Sequence, residues 1–244
     1  MTPQRPRQVK DARRVALVTG GGVRLGRTIA LALGRAGMDV AVGYHRSARA
    51  ARGAVRDLAT GGVDAVALRA DLRSPRAAAR LVAATVARFG RLDVLVNSAA
   101  VFYRTPFAVT TPAEFDDLLG LNLRGAFFCA QAAARRMGAG HIINIGDAGS
   151  DRAWPAHIPY TLSKAGIAVL TRGLAVALRP RIAVNCVAPG AVLRPPHFRR
   201  ARWARLRREN AASPEEVAAA VVFFATCPRS ITGQILAVGG SARA

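Results

Sequence analysis

The sequence VALVTGGGVRLG occupies residues 15–26 and sets the fold of this chain. Residues 15–19 form a short apolar run of the kind that is buried as a strand, and the glycine-rich turn after it leads directly into a segment with helical spacing. Glycines at such a turn let the backbone approach a phosphate closely, and the following helix N-terminus supplies free amides and a positive dipole end. One glycine-rich turn is common, so its meaning depends on the rest of the chain.

Six more apolar runs follow, each rich in Val, Ile or Leu, at residues 40–43, 63–68, 94–97, 141–145, 182–188 and 235–238. Between them lie longer stretches with helical spacing, at residues 25–35, 48–58, 75–89, 121–137, 160–178 and 214–224. Alternating strands and helices predict an α/β class protein, a doubly wound Rossmann fold with a mainly parallel seven-stranded sheet and helices on both faces. Because no linker or composition break interrupts residues 15–244, we expect a single domain.

Residues 1–14 are basic and polar with two prolines, and we expect them to form a flexible leader. The chain contains no run of about 18 uncharged apolar residues, so no membrane-spanning helix is expected. Its three cysteines are far apart and lack CxxC or His-rich spacing, which argues for a reducing, cytoplasmic location and against a disulfide framework or a metal site: Cys129, Cys186 and Cys227.

The chain is strongly basic, with 36 Lys and Arg against 14 Asp and Glu and a net charge of +22. Hydrophobic residues make up 51% of it, which excludes a disordered protein despite the charge. A nucleic-acid partner would fit such a charge, but the arginines are spread along the whole chain and aromatic residues are only 6%. Biased composition explains the use of Arg in place of Lys but not the shortage of acidic residues, and an acidic substrate or cofactor is the simpler explanation for part of the charge.

The residues after the second apolar run indicate which cofactor the glycine turn binds. NAD-binding proteins usually keep an Asp or Glu there for the ribose hydroxyls, whereas this chain has YHRS at residues 44–47. Arg46 can pair bidentately with a 2′-phosphate and Ser47 can donate a hydrogen bond to it, unless Arg46 is one more solvated arginine. The sequence therefore predicts NADP(H), held by Gly20, Arg24, Leu25, Gly26, His45, Arg46 and Ser47.

Polar residues also follow the third and fourth apolar runs, at the carboxyl ends of strands, where ligands bind in open α/β sheets. We expect these residues to contact the cofactor, although Asp71 could merely cap a turn and Asn97 could merely satisfy loop backbone groups. They are Asp71, Leu72, Asn97, Ser98 and Ala99.

In this order the segments resemble the short-chain dehydrogenase/reductase family over nearly all of residues 15–240. The glycine turn, LVNSA at residues 95–99, NLRG at 122–125, YTLSK at 160–164 and NCVAPG at 185–190 carry the resemblance. It implies a small-molecule substrate, a homotetramer, and cofactor contacts from Tyr160, Lys164, Pro189 and Gly190. It also implies that Tyr160 is the proton donor, that Lys164 tunes it, and that Asn122 holds a proton-relay water.

The spacing of Tyr160 and Lys164 puts both on one face of a helix. A free tyrosine has a pKa of about 10, and a nearby ammonium together with the nicotinamide charge is expected to draw that pKa toward neutrality. Lys164 is one of only two lysines among 36 basic residues, and arginine could not replace it because it cannot be deprotonated.

Asp147 lies thirteen residues before Tyr160, where most of the family has a serine that donates to a substrate carbonyl. An ionised carboxylate only accepts hydrogen bonds and would repel an alkoxide forming from a ketone. It favours a substrate that presents N–H donors or whose reacting nitrogen gains a proton. Asp147 therefore predicts reduction of C=N rather than C=O.

The pteridine reductase branch of the family is similar in Asp147, in RLG at residues 24–26 and in HRS at 45–47, which implies a dihydropterin or dihydrofolate substrate. Phe102 or Tyr103 could stack on a flat pterin, and both could equally be ordinary loop packing. The arginine-rich residues 194–208 occupy the place of the family's substrate loop, either as a solvated lid or as a contact for an anionic substrate. Residues 241–244 are similar to that branch's Arg-bearing C-terminus.

Two other functions stay open. One is a general carbonyl reductase, such as a 3-oxoacyl-(acyl carrier protein) reductase whose acidic partner the arginine-rich loop would meet. The other is a catalytically degenerate relative that senses NADP or binds nucleic acid, since Val238 stands where the family often has an Asp.

Overall fold

A computed structural model describes residues 13–152, 154–195 and 198–239. The predicted leader, residues 1–14, lies outside these described residues except for its last two positions. The C-terminal residues 241–244, which were compared with the pteridine reductase C-terminus, also lie outside them.

The sheet confirms the predicted architecture, and all of its strand pairs are parallel. The strands stand in the order β3-β2-β1-β4-β5-β6-β7. The chain therefore winds outward from β1 in one direction and from β4 in the other, which creates a crevice between these two strands at the carboxyl edge. The strand bounds are β1 (Val15–Val18), β2 (Asp39–Tyr44), β3 (Ala65–Arg69), β4 (Val94–Asn97), β5 (Gly140–Ile145), β6 (Ile182–Pro189) and β7 (Ile235–Val238).

Helices cover both faces of the sheet. Helices α1, α2 and α8 pack their apolar residues on one face, and α3, α5 and α6 pack on the other. The bounds are α1 (Arg24–Arg35), α2 (Ala48–Thr60), α3 (Pro75–Phe89), α4 (Pro112–Leu119), α5 (Ala126–Ala134), α6 (Ile158–Ala177), α7 (Arg200–Asn210) and α8 (Pro214–Thr226), with a π-helical segment, Gly120–Gly125, joining α4 to α5. Among the described residues, every helix is too short or too polar to span a bilayer.

Two helices were not predicted from the apolar pattern. Helix α4 begins at a capping box in which the Thr111 hydroxyl accepts from the Glu114 amide at 3.3 Å and the Glu114 carboxylate accepts from the Thr111 amide at 2.9 Å. The TPAE sequence at residues 111–114 carries this signal. Helix α7 falls inside the arginine-rich loop, where no apolar stripe marks a helix because the arginines are not confined to one face.

Hydrogen bonds at the sheet switch point hold the glycine turn against the end of β4. The Thr19 hydroxyl accepts from the Ser98 amide at 3.0 Å and from the Ala99 amide at 3.1 Å. Gly20 has a φ of +66°, and a Cβ there would lie 3.0 Å from the Ala99 Cα. This position therefore requires glycine for its backbone angle as well as for space.

Candidate active site

A cavity of about 700 Å³ opens at the carboxyl edge of the sheet. It runs from the glycine turn across the ends of β2 and β3 to the loops after β4, β5 and β6. The structure brings most of the predicted site residues to its wall: Gly20, Arg24, Leu25, Gly26, His45, Arg46, Ser47, Asp71, Leu72, Ser98, Ala99, Phe102, Asp147, Tyr160, Lys164, Pro189 and Gly190.

Tyr160 and Asp147 are joined at the centre of this wall. The Tyr160 hydroxyl donates to Asp147 Oδ2 at 2.7 Å. The other carboxylate oxygen, Oδ1, accepts from the Gly149 amide at 2.7 Å, which fixes the orientation of the carboxylate. One oxygen of Asp147 thus faces the tyrosine proton.

The surroundings of Tyr160 shift its acidity in the direction opposite to the sequence prediction. Burial, the negative charge of Asp147 and the hydrogen bond to it raise the pKa of Tyr160 well above its ordinary value. The prediction of a pKa drawn toward neutrality considered the ammonium and the nicotinamide but not the neighbouring carboxylate, which opposes ionisation. The protein's own groups therefore keep Tyr160 protonated at neutral pH, as a proton donor requires.

Lys164 lies one turn along α6 from Tyr160, and its side chain is buried. Its ammonium donates to the Ile145 carbonyl at 2.8 Å and lies 6.0 Å from the centre of the Tyr160 ring. Burial lowers the pKa of Lys164, and the charge of Asp147 opposes that shift. A buried amine with a lowered pKa is suited to passing a proton toward the tyrosine.

Asn122 lies in the π-helical segment and does not line the cavity. Its side-chain oxygen accepts from the Val101 amide at 2.9 Å, and its NH₂ donates to the Val101 carbonyl at 3.0 Å and to the Ser163 hydroxyl at 3.1 Å. In the structure Asn122 therefore positions the loop after β4 against α6. Its role in holding a relay water stays a prediction.

At the far end of the cavity, exposed Arg46 stands beyond β2, and the His45 Nε2 lies 3.8 Å from Asp71 Oδ2. Asp71 accepts from the amide and the guanidinium of Arg73, both at 3.2 Å. Partial burial acts to raise the pKa of Asp71, but these hydrogen bonds hold it below its usual value. Asp71 thus stays ionised, where it can accept hydrogen bonds from a ligand.

Arg24, the first residue of α1, has an unusual backbone conformation. It is the only non-glycine residue in the described chain with a positive φ, +49°, which costs about 1 to 2 kcal/mol for a residue with a side chain. Its guanidinium donates to the carbonyls of Leu193 at 3.3 Å and Arg194 at 3.2 Å. Over residues 13–239 as described, no carboxylate pairs with Arg24 or Arg46, so both guanidiniums are available to an anionic ligand.

Two predicted contact residues lie away from the cavity. The Asn97 amide donates to Asn144 Oδ1 at 2.9 Å and to the Ala126 carbonyl at 3.3 Å, so its side chain ties β4 to β5 and α5 below the site. The Tyr103 hydroxyl donates to Asp117 Oδ2 at 3.0 Å, and burial together with that carboxylate raises the pKa of Tyr103 to about 12. Of the two aromatic candidates for substrate contact, only Phe102 faces the cavity.

Aromatic side chains form one wall of the cavity around Phe102. The Phe102 ring meets Tyr160 edge-on with centroids 4.5 Å apart, stacks on His157 at 4.9 Å, and lies 6.0 Å from Trp154 and 5.9 Å from Phe198. The sequence prediction missed Trp154, Phe198 and Trp203, although both tryptophans of the chain line this cavity. The available signal was position along the chain: Trp154 and Phe198 lie in the segments that follow β5 and β6, and Trp203 lies in α7 just beyond Phe198.

Part of the arginine-rich segment is helical, since α7 begins at Arg200. The Arg194 guanidinium donates to the Phe198 carbonyl at 2.7 Å, which closes a short loop before α7. Leu193, Pro195, Phe198 and Trp203 line the cavity, while Arg200, Arg205, Arg207 and Arg208 are exposed. The segment thus combines an apolar inner surface with a basic outer one.

The chain is similar to known proteins over most of its length. Residues 22–241 match the family model described as Enoyl-(Acyl carrier protein) reductase. Versicolorin reductase 1 of Aspergillus parasiticus is 39% identical over 182 residues, 73% of this chain and 70% of that protein. A 3-oxoacyl-[acyl-carrier-protein] reductase of Synechocystis sp. is 34% identical over 240 residues, 93% and 95% of the two chains. The crystal structure of FolM alternative dihydrofolate reductase 1 from Brucella canis, complexed with NADP, superposes with a TM-score of 0.88 at 30% identity, covering 94% of this chain and 93% of that one.

Proposed function

Because the chain belongs to the short-chain dehydrogenase/reductase family, we propose that it is an NADPH-dependent reductase of a C=N bond in a pterin or dihydrofolate-like substrate. The observation that supports this most directly is the 2.7 Å hydrogen bond from Tyr160 to Asp147. A carboxylate at this position accepts N–H donors of a substrate and disfavours the negative oxygen that a reduced ketone would develop.

The cofactor end of the cavity fits NADP(H). The glycine turn brings backbone close to the N-terminus of α1, where a pyrophosphate is bound favourably. Arg46 and Arg24 have no carboxylate partner in the described chain, and either can pair with a 2′-phosphate. NADPH supplies the hydride when bound.

The protein's own groups supply the proton and the orientation. Tyr160, held protonated by Asp147, donates its proton to the reacting nitrogen, while the carbon of the same bond receives the hydride. Lys164, with its lowered pKa, returns a proton toward Tyr160. Phe102 and Trp154 offer flat apolar surfaces for a ring substrate, and the exposed arginines of α7 suit an anionic extension such as a folate glutamate.

Reduction of a carbonyl compound is the second candidate, because two of the relatives carry the names versicolorin reductase and 3-oxoacyl-[acyl-carrier-protein] reductase. Both reactions would use Tyr160 and Lys164. They differ in the effect of Asp147, whose carboxylate favours a C=N substrate and disfavours a ketone. A non-catalytic relative is disfavoured because Tyr160, Lys164 and Asp147 are assembled at one cavity.

Side-by-side assays of NADPH oxidation distinguish these functions. We expect the purified protein to oxidise NADPH with dihydrobiopterin or dihydrofolate and to be slower with an acetoacetyl thioester. The thioester's aliphatic chain makes no use of the aromatic wall, and its ketone would develop its charge beside Asp147. Turnover of the thioester with both pterins silent would overturn the pterin assignment and leave the carbonyl reductase.

Substitution of Arg46 by Ala is expected to reduce the preference for NADPH over NADH by about tenfold or more, since charge-assisted hydrogen bonds to a phosphate are each worth about 1.5 to 3 kcal/mol. The measurement is kcat/KM for both cofactors with one substrate. Arg49→Ala is the matched control, because Arg49 is also exposed but does not line the cavity. An unchanged cofactor preference in Arg46→Ala would contradict the 2′-phosphate contact.

We also propose a homotetramer in the cytoplasm. Two separate faces expose large apolar side chains, one on α5 and α6 with Phe127, Val169 and Val176, and one on α8 and β7 with Phe223 and Leu236. Two different self-complementary faces are what a dimer of dimers needs. Three free buried cysteines suit a reducing compartment. A monomer in analytical ultracentrifugation at micromolar concentration would contradict the assembly.

A further inference from the structure

A second, larger cavity of about 1210 Å³ lies at the opposite, amino edge of the sheet. Five of the seventeen residues that line it are arginines, about twice the share of arginine in the whole chain. Each comes from a different connection, the ones that enter β1, β4, β5, β6 and β7: Arg14, Arg91, Arg136, Arg179 and Arg229. These five strands are consecutive in the sheet, so the fold gathers one arginine per strand at a single depression.

The cavity holds little negative charge of its own. Among the described residues, Asp93 is the one acidic residue in its wall, and both of its oxygens accept from the Arg91 guanidinium, at 2.7 and 2.8 Å. Asp93 Oδ2 also accepts from the Val15 amide at 2.8 Å. Within the described parts of the chain, Arg136, Arg179 and Arg229 form no ion pair with a carboxylate. The wall therefore carries a clear excess of positive charge.

His141 lies on β5, the middle one of these five strands, and it is 5% exposed. Its Nδ1 atom is buried and has no hydrogen-bond partner among the residues that the structure describes. A buried polar atom left without a partner is costly, and each such atom in a native structure calls for an explanation. Burial together with Arg14 and Arg229 lowers the pKa of His141 to about 4, so its ring is neutral at pH 7 and carries one N–H.

We propose that this amino-edge cavity binds a small polyanion with two or more phosphate groups, of the pyrophosphate or nucleoside diphosphate class. The guanidinium fork matches phosphate oxygens bidentately, and several forks that converge from different loops suit a ligand with several phosphates. The arginines and His141 line one concavity of about 1210 Å³, which is large enough for a compact ligand of this class. The site is distinct from the candidate active site at the carboxyl edge.

Calorimetric titration of the full chain with inorganic pyrophosphate tests this site. We expect saturable binding at a near-stoichiometric ratio, and we expect the triple substitution of Arg136, Arg179 and Arg229 by Gln to weaken it by about tenfold or more. These three arginines are exposed, so the fold should survive the change. The matched control replaces exposed Arg52, Arg76 and Arg80 by Gln, which removes the same charge away from the cavity.

A second control separates this site from the active site, since pyrophosphate could also enter the glycine turn. Arg24→Ala combined with Arg46→Ala should leave the binding intact. Loss of binding in that double variant, equal weakening in both triple variants, or no binding by the unmodified chain would each overturn the proposal. Citrate at the same ionic strength is the chemical comparison, and tighter binding of citrate than of pyrophosphate would overturn the phosphate assignment.

Proton NMR places the ligand independently. Of the four histidines in the chain, His141 is expected to shift its ring resonances on addition of pyrophosphate, because among the described residues it is the histidine that lines the amino-edge cavity. The His141→Gln variant serves only to assign those resonances. Shifts confined to His45 would instead place pyrophosphate at the candidate active site and contradict the proposal.

Discussion

Replacement of Tyr160 by Phe should lower the turnover number by about 10²- to 10⁴-fold, the range that a positioned general acid contributes. The substitution removes the hydroxyl that donates to Asp147 at 2.7 Å and keeps the ring that packs edge-on against Phe102. The shape of the aromatic wall should therefore survive, and the effect should fall on kcat rather than on cofactor binding. The measurements are steady-state NADPH oxidation and NADPH binding by fluorescence titration.

Tyr103→Phe provides the matched control for this prediction. It removes the same hydroxyl from a residue whose side chain donates to Asp117 outside the cavity. We expect its kcat to stay within about twofold of the unmodified chain, with a stability loss of about 1 kcal/mol from the lost hydrogen bond. If both variants lost activity equally, or if Tyr160→Phe stayed fully active, Tyr160 would not be the proton donor.

The sequence was sufficient to predict which backbone segments meet at the site. The carboxyl ends of parallel strands meet at one edge, so the glycine turn, Arg46 and Asp71 come together once the alternation of strands and helices is recognised. The helical spacing likewise places Tyr160 and Lys164 on one face of α6. These inferences need only the strand order and the helix period.

The differences between the predicted site and the structure concern side-chain direction, which periodicity does not determine in loops. Asn97 is the last residue of β4, while Tyr103 lies beside Phe102 in the loop after that strand. Asn97 points down to Asn144, and Tyr103 points to α4, a helix that the apolar pattern did not reveal. The pKa of Tyr160 differs from the expected direction for a related reason, since its upward shift depends on burial and on the 2.7 Å contact with Asp147, which spacing does not reveal.

The arginines that give the chain its strong positive charge fall into groups with different surroundings. Arg24 and Arg46 line the cavity at the carboxyl edge and form no ion pair with a carboxylate of the described residues. A further five arginines surround the amino-edge cavity. Arg91 of this cavity pairs with Asp93, and elsewhere Arg73 and Arg88 pair with Asp117 and Asp64, so the charge of these three arginines is locally compensated. The arginines of this chain therefore differ mainly in whether a neighbouring carboxylate compensates their charge.

Replacement of Asp147 by Ser, which restores the residue that most of the family has, should reverse the substrate preference. Loss of the charged acceptor should lower pterin or dihydrofolate reduction by about tenfold to more than a hundredfold, since a hydrogen bond to a charged group is worth about 1.5 to 3 kcal/mol. The serine hydroxyl can donate to a developing alkoxide, so reduction of the acetoacetyl thioester should rise. The measurement is kcat/KM for both substrates, expressed as a ratio.

The same variant has a second consequence that does not depend on the substrate. The charge of Asp147 and its hydrogen bond help to raise the pKa of Tyr160, so in Asp147→Ser the tyrosine should ionise at a lower pH, which ultraviolet titration of the phenol detects. Asp151→Ser is the matched control, because Asp151 lies four residues further on, is exposed and does not line the cavity. A lowered Tyr160 pKa with unchanged pterin rates would show that the carboxylate sets the acidity of the donor without selecting the C=N substrate. An unchanged pKa would mean that Asp147 and Tyr160 are not coupled in solution, and the argument for C=N reduction would lose its basis.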